Sequence, residues 1–255
     1  MLARLFRTAA VEPSTAAVPR GTRVYAIGDV HGRLDLLEDL HQQIRDHARE
    51  YQIDRRVVVH IGDYIDRGYQ SRQTIDYLLG TPLPGFDMIN LLGNHERTLL
   101  EFLDDIAVGR GWLRYGGRET LFSYGIEWDR GLAEDEDCLL RIQGELRRRL
   151  PERHRAFFSG LPLTHQEGDY LFVHAGVRPG VPLEQQAPDD LIWIRDEFLN
   201  STADHGKVVV HGHSISEQPV LRPNRVGIDT GAFATGRLTC LVLEGNQRSF
   251  LSTFS

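Results

Sequence analysis

Gly28-Asp29-Val30-His31-Gly32, Gly62-Asp63-Tyr64-Ile65-Asp66-Arg67-Gly68 and Gly93-Asn94-His95-Glu96 decide how the chain is read, because each closes an apolar run. Those runs span residues 24–27, 57–61 and 86–92, and each is expected to form a strand. A polar, glycine-flanked elbow at the end of three hydrophobic strands sets carboxylate, imidazole and amide ligands along one sheet edge. Ligand crevices of α/β sheets lie outside the carboxyl ends of strands. Mixed oxygen and nitrogen donors suit hard or borderline divalent ions such as manganese, iron or zinc. A two-metal hydrolytic site is the expectation.

Between the elbows, Leu34, Leu37, His41, Ile44 and Ala48 recur at helical spacing, which predicts an amphipathic helix of about four turns. A second helix covers residues 71–79 with Ser71 as N-cap. Pro82, Pro84 and Gly85 break the chain before the third strand, and a helix over 96–107 follows. The second strand shows no polar alternation, as expected where both faces are covered. Three successive strand–helix units imply a largely parallel sheet. Residues 108–160 read differently. Gly109, Gly111, Gly116, Gly117 and Gly125 precede an acidic stretch at 134–137 and an arginine-rich helix around 141–150. This part is expected to be a helical insertion over the metal face, its charge runs a solvated surface. Strand patterns resume at 170–173, 208–210, 226–228 and 238–243, the third ending in a turn at Asp229-Thr230-Gly231. A helix over 188–199 carries Trp193 and Arg195.

A chain of 255 residues is one large domain, here 22–255, long enough to bury about three quarters of its unfolded surface. Its 41% apolar and 25% charged residues are ordinary for a soluble protein. No run reaches the ~18 apolar residues of a membrane span, so no membrane partner is expected. Residues 1–21, rich in Ala, Pro, Thr and Ser, lack the apolar centre of a secretory signal and read as a flexible tail. A net charge of -7 argues against nucleic acid as a partner. Cys138 and Cys240 fit no metal or redox spacing, which points to two reduced thiols in a cytoplasmic protein. Lys207 is the sole lysine, so an arginine gains meaning only where its position supplies a role.

Asp29 and His31 can both face one ion if the backbone between them turns sharply, which Gly28 and Gly32 permit. Asp63 arrives from the neighbouring strand, and its two oxygens can bridge two ions roughly 3.5–4 Å apart. Asn94 offers a neutral carbonyl oxygen from the third. Singly, each has a plain alternative: a helix cap, a turn residue, a surface histidine. Four at the ends of regularly spaced strands do not share such an alternative. Two further ligands should come from the second half. His174 ends the apolar run before Ala175-Gly176 and has no rival nearby. In Val210-His211-Gly212-His213-Ser214 either histidine could serve, and His213, past the glycine, is favoured over His211. His41, His47, His60, His154, His165 and His205 are expected to be structural or exposed, without partners.

In that order and spacing the three motifs resemble the phosphoprotein phosphatase family of the metallophosphoesterases, over about residues 23–242. Trp112-Leu113-Arg114-Tyr115-Gly116-Gly117, Ser123-Tyr124-Gly125 and Leu191-Ile192-Trp193-Ile194-Arg195 look like the bacterial serine/threonine protein phosphatase branch. The resemblance implies an α/β sandwich of two mixed β-sheets flanked by helices, with two divalent metal ions at one sheet edge. One ion would be held by Asp29, His31 and Asp63, the other by Asp63, Asn94, His174 and His213. Manganese is expected, with iron or zinc as alternatives. Ala175 departs from the His-Gly-Gly of eukaryotic enzymes, but alanine is small and the ligand is intact. The inherited chemistry is in-line attack by a hydroxide bridging the ions. Arg67 and Arg195 would hold phosphate, His95 would protonate the leaving oxygen, and Asp66 would orient that imidazole. The implied substrate is a phosphorylated protein or peptide, at serine or threonine, with tyrosine as a further target. Two rivals stand beside it. A dinucleoside polyphosphate or small phosphoester hydrolase would use the same site. Relatives that cleave dinucleoside tetraphosphates symmetrically tend to vary the positions held here by His31, Asp66 and Arg67, which are standard. A binding pseudophosphatase would have lost a ligand or the acid, and none is missing.

Overall fold

In the computed structural model, which describes residues 15–50, 53–127 and 135–253, the three elbows follow three parallel strands. β1 (Thr22–Ile27), α1 (Leu34–Arg49), β2 (Arg55–His60), α2 (Ser71–Leu79), β3 (Asp87–Asn90) and α3 (Asn94–Asp104) are the predicted strand–helix units. The periodic positions of α1 explain its docking, since Leu37, His41, Ile44 and Ala48 are all buried. Ser71 is not the N-cap expected of it. Its Oγ instead accepts the Asp66 N–H at 3.0 Å, so the hydroxyl serves the elbow and not its own helix.

The insertion is helical, as its glycine breaks and lack of strand pattern suggest. α4 (Gly109–Trp112) runs through a π turn at Leu113–Gly117 into α5 (Arg118–Ser123), and α6 (Glu136–Arg149) and α7 (Glu152–Ser159) follow. Glu134 of the acidic stretch lies outside the described residues. The second half supplies β4 (Thr164–Glu167), β5 (Tyr170–Val173), α8 (Pro188–Trp193), α9 (Asp196–Leu199) and β6 (Val208–His211). Then come β7 (Val220–Leu221), β8 (Arg225–Gly227), α10 (Ala232–Thr235), β9 (Thr239–Glu244) and β10 (Gln247–Ser252). The helix expected over 188–199 is broken. Ile194 is extended and Arg195 sits at φ -130°, ψ -101°, which lifts Arg195 off both helices.

Two five-stranded mixed sheets result, ordered β10-β9-β1-β2-β3 and β4-β5-β6-β8-β7. β1, β2 and β3 run parallel while β9 and β10 close that sheet antiparallel. Alternate side chains explain the layers. Val24, Ala26, Val57 and Val59 meet Tyr170, Phe172, Val208 and Val226 between the sheets. Tyr25, Ile27 and Val58 face the opposite way, into α1 and the helical insertion. Leu171, Val173 and Val209 carry α8 and α9 on the far side. Both faces of the central strands are therefore buried, the physical reason they read as unbroken apolar runs.

The expected tail ends earlier than residue 21. Residues 1–14 lie outside the described residues, but Ala16 and Val18 are buried. Val18 N–H donates to Gly245 O at 3.0 Å and Ala17 N–H to the Asp169 carboxylate at 2.9 Å, so this stretch is pinned to the sandwich. Among the described residues no helix is long and apolar enough to cross a membrane.

Candidate metal centre and active site

The predicted ligands come off the carboxyl ends of β1, β2, β3, β5 and β6, where both sheets meet. Gly212 N–H donates to His174 O at 2.8 Å within the second sheet, and Asp29 Oδ2 accepts the His213 N–H at 3.1 Å, which ties the two sheets together at that edge. The elbows turn too tightly for ordinary backbone. His31, Asp63, Asp66, Arg67 and His213 have φ between 47° and 71°, and of the described non-glycine residues only Thr81 joins them in that region. Such conformations cost of order 1–3 kcal/mol each and persist only where surrounding structure enforces them.

Glu96 does much of the enforcing. Its buried carboxylate accepts four backbone N–H groups: Asp63 at 2.9 Å, Tyr64 at 2.7 Å, Ile65 at 3.2 Å and Gly93 at 3.1 Å. Burial, with Asp63 nearby, pushes its pKa up to about 8. The second and third elbows are thus tied through one side chain. Gly93 permits the approach, since a Cβ there would lie 2.2 Å from Asp63 Oδ1.

Asp63 is the hub. His31 Nε2, His174 Nε2 and His95 Nε2 lie 3.6, 3.4 and 3.8 Å from its Oδ2. Burial alone would raise its pKa, but the imidazoles of His174, His95, His31 and His213 hold it well below the usual carboxylate range. Two ring orientations are set by backbone carbonyls. His31 Nδ1 is 2.9 Å from Ile65 O and His174 Nδ1 is 2.9 Å from Ile61 O, so each Nδ1 carries the proton. Each Nε2 then points a lone pair at Asp63, and His174 Nε2 also lies 2.9 Å from Asn94 Oδ1, another acceptor. Burial holds both imidazoles below their ordinary pKa, which disfavours rescue by protonation. His213 Nε2 is buried with no hydrogen-bond partner, and burial followed by the charge of His174 pushes that ring down to about 2.

Lone pairs converging on lone pairs, with an orphaned imidazole nitrogen beside them, are what a cation site requires. Among the described residues two groups satisfy it, His31–Asp63–His95 and Asp63–His174–His213, with donor atoms within 4.8 Å of one another and Asp63 common to both. The donor set therefore fits a pair of divalent ions. His213 joins the cluster and His211 does not. The latter's Nδ1 is 3.1 Å from Gly212 O and its Nε2 3.3 Å from Arg225 Nη1, on the side of Phe198. Asp29 is outside the first compact group, where His95 stands instead. Its buried carboxylate is pushed well up by burial, then by Asp229 and Asp63.

Asp229, in the expected turn after residues 226–228, adds a further carboxylate at this edge. It is buried and pushed up to about 6, chiefly by burial. Its signal was present: residues 226–228 end in Asp-Thr-Gly just as the first strand ends in Gly-Asp.

His95 and Asp66 pair, His95 Nδ1 lying 2.6 Å from Asp66 Oδ2. Burial lowers the pKa of His95, but Asp63 and Asp66 overcome it, and the imidazole is held above its ordinary value. The insertion completes the pair. Trp112 Nε1 donates to Asp66 Oδ2 at 2.9 Å, and Thr120 Oγ1 donates to Oδ1 at 2.5 Å. Arg67 Nη2 is 3.3 Å from His95 Nε2 and the guanidinium covers the Phe233 ring at 4.7 Å. Arg67 N–H donates to Gly116 O at 3.1 Å, and a Cβ on Gly116 would lie 2.6 Å from that nitrogen, so the π turn must present glycine there. Arg195 Nη1 donates to His213 O and Ser214 Oγ, both at 3.1 Å. Among the described residues neither Arg67 nor Arg195 is in an ion pair, which leaves both charges facing the cleft.

Four of the other histidines have hydrogen-bond partners, whereas Nε2 of His165 and of His205 is buried without one. His41 Nε2 meets His60 Nε2 at 2.9 Å, and His47 and His154 bond Tyr25 and Tyr124 at 3.0 and 2.8 Å.

Comparison with known proteins agrees with this geometry. Residues 22–238 match the family described as calcineurin-like phosphoesterase. The chain belongs to that family. It is accordingly a metal-dependent phosphoester hydrolase, of a family that binds two divalent ions. The chain is 25% identical over 225 residues to serine/threonine-protein phosphatase 2 of Salmonella typhimurium, covering 85% of this chain and 90% of that one. It is also 25% identical over 234 residues to an asymmetrical bis(5'-nucleosyl)-tetraphosphatase of Bacillus thuringiensis, covering 84% and 88%. A cold-active protein-tyrosine phosphatase from Shewanella shares the fold, with a TM-score of 0.53 at 18% identity over 92% of this chain and 83% of its own.

Proposed function

We propose that this chain removes phosphate from phosphoserine and phosphothreonine in proteins, with phosphotyrosine as a further target. The observation that carries the reading is the buried His95–Asp66 pair. An alkoxide is a poor leaving group and needs a proton as the ester bond breaks, whereas a nucleotide leaves a phosphoanhydride as a stable anion. Investment of three side-chain donors in fixing Asp66 makes chemical sense for the first substrate and little for the second.

The proposed ligands are Asp29, His31 and Asp63 for one ion and Asp63, Asn94, His174 and His213 for the other, with manganese favoured over iron and zinc. When bound, the ions supply Lewis acidity that acidifies water and offsets charge on the phosphoryl oxygens. The protein's own residues do the rest. Arg67 and Arg195 hold the phosphate by charge-assisted hydrogen bonds from planar guanidinium groups. Asp66 fixes the Nδ1 proton of His95, so Nε2 is the atom that delivers a proton to the leaving oxygen. Both cysteines are unpaired and buried, which supports a cytoplasmic setting.

A second reading has a specific observation behind it, because a relative named for tetraphosphate hydrolysis covers the chain as fully as the phosphatase does. Manganese-supplemented turnover of phosphopeptides against diadenosine tetraphosphate separates the two. The proposal predicts phosphopeptide turnover that is lost in both His95→Ala and Asp63→Asn. Persistence of activity in both variants refutes the assignment, and exclusive tetraphosphate turnover refutes the substrate.

A further inference from the structure

A cleft of about 450 Å3 opens beside His95, and its walls include Arg67 and Arg195 together with Trp112, Tyr115 and Trp193. Tyr115 is 65% exposed and Trp193 48% exposed, so both side chains are open to solvent at the cleft. Among the described residues no hydrogen bond or ring contact holds Tyr115. It rides on the π turn Leu113–Gly117, the same turn whose Gly116 carbonyl anchors Arg67. π turns recur at functional sites because they displace side chains from helical register. Trp193 sits at the end of α8, its ring edge-on to His213 at 6.1 Å. Two large exposed aromatic side chains lining one cleft beside a proton donor and two arginines mark a ligand-binding surface.

We propose that this cleft receives a planar aromatic leaving group, the phenol ring of phosphotyrosine in a peptide, stacked on Tyr115 and Trp193. The inference rests on the protein-phosphatase reading and narrows it. In an aryl phosphate the ring is bonded directly to the oxygen that leaves. Once phosphate lies on Arg67 and Arg195 and that oxygen lies at His95 Nε2, the ring has to occupy the cleft beyond. Water oxygen bonds to phosphorus and gives up a proton to solvent, the P–O(aryl) bond breaks, and the phenolic oxygen takes its proton from His95, which regains one from solvent, releasing the tyrosine peptide and inorganic phosphate. A serine ester would place only a methylene there. A nucleotide leaving group would bring phosphate charge instead, and the wall past the two arginines offers Thr98 and Glu101, with no third arginine or lysine among the described lining residues.

The test uses two peptides of one sequence, phosphorylated on tyrosine or serine, with the manganese-loaded protein. Trp193→Ala and Tyr115→Ala should each lower kcat/KM for the phosphotyrosine peptide by about 3- to 10-fold, the scale of an aromatic pair, and leave the phosphoserine peptide within about twofold. Trp193→Phe should retain most of the wild-type value. Inhibition by phenylphosphonate should weaken in both alanine variants, while inhibition by methylphosphonate should not. Equal losses on both peptides, or none on either, overturn the assignment, as does a wild-type protein that turns over phosphoserine and not phosphotyrosine. Turnover of diadenosine tetraphosphate with neither peptide touched would instead overturn the protein-phosphatase reading beneath it.

Discussion

Thr120→Val removes one hydroxyl that makes two contacts with Asp66, accepting its backbone N–H at 2.9 Å and donating to its carboxylate at 2.5 Å. Asp66 is fully buried, so no water replaces what is lost. A hydrogen bond to a charged group contributes about 1.5–3 kcal/mol, and leaving the partner buried and unsatisfied costs a similar amount. If the whole of that falls on the step that needs His95 aligned, the rate drops about 10- to 100-fold at ~1.4 kcal/mol per decade. The loss cannot exceed the ~10²–10⁴ that general acid catalysis supplies in total. The assay is kcat across a series of phosphate monoesters of rising leaving-group basicity, from p-nitrophenyl phosphate to a phosphoserine peptide. Thr120→Val should steepen the dependence, barely affecting the nitrophenyl ester and slowing the peptide by the full factor, and Trp112→Phe should do the same. Thr120→Ser should restore it. A uniform loss across the series, or an unchanged slope in a well-folded variant, would refute the idea that the insertion sets the alignment of His95.

Three further outcomes follow from the same contacts. His41 and His60 are pushed down to about 2 and about 4 by burial, so below their ordinary 6.5 the unfolded chain binds more protons and stability falls as pH falls toward 4. Each can contribute up to about 1.4 kcal/mol per pH unit. Urea denaturation of His60→Leu should show a shallower acid slope, and an identical slope would deny the pair that role. Calorimetric titration with manganese should give two ions for the wild-type chain and one for His213→Ala, with Asn94→Ala weakening only the second. Two tight ions in His213→Ala would remove that histidine from the ligand set. Arg67→Ala should raise KM and lower kcat together, and unchanged steady-state kinetics would place Arg67 outside the phosphate site.

The metal edge was legible in the sequence to an unusual degree. β1, β5 and β6, and β2 from Val57 onward, are buried on both faces, so they read as apolar runs without alternation; β1, β2 and β6 run into a polar residue beside glycine and β5 into His174, two residues before Gly176. Position on a strand end is a local property. The edge strands were not legible. β4 is Thr-His-Gln-Glu and half-exposed, and β10 alternates exposed and buried positions, so neither carries the apolar density that marked the others. Asp229 went unread because a single acid before glycine is also the commonest composition of a turn.

The amino-acid sequence alone determined which side chains would meet at the sheet edge, since the strand–elbow–helix grammar recurs and parallel strands carry their carboxyl ends to one side. Only the tertiary structure decided what holds them there. Trp112 and Thr120 reach Asp66 across 46 and 54 residues, and Glu96 reaches back to four amides at the two elbows. What sets His213 apart from His211 is of the same kind: His213 Nε2 is buried without a partner, whereas His211 lies against Gly212 O and Arg225. Such pairings depend on directions in space that no local pattern records. A hydrogen bond is made by distance and angle, and chain separation does not enter it.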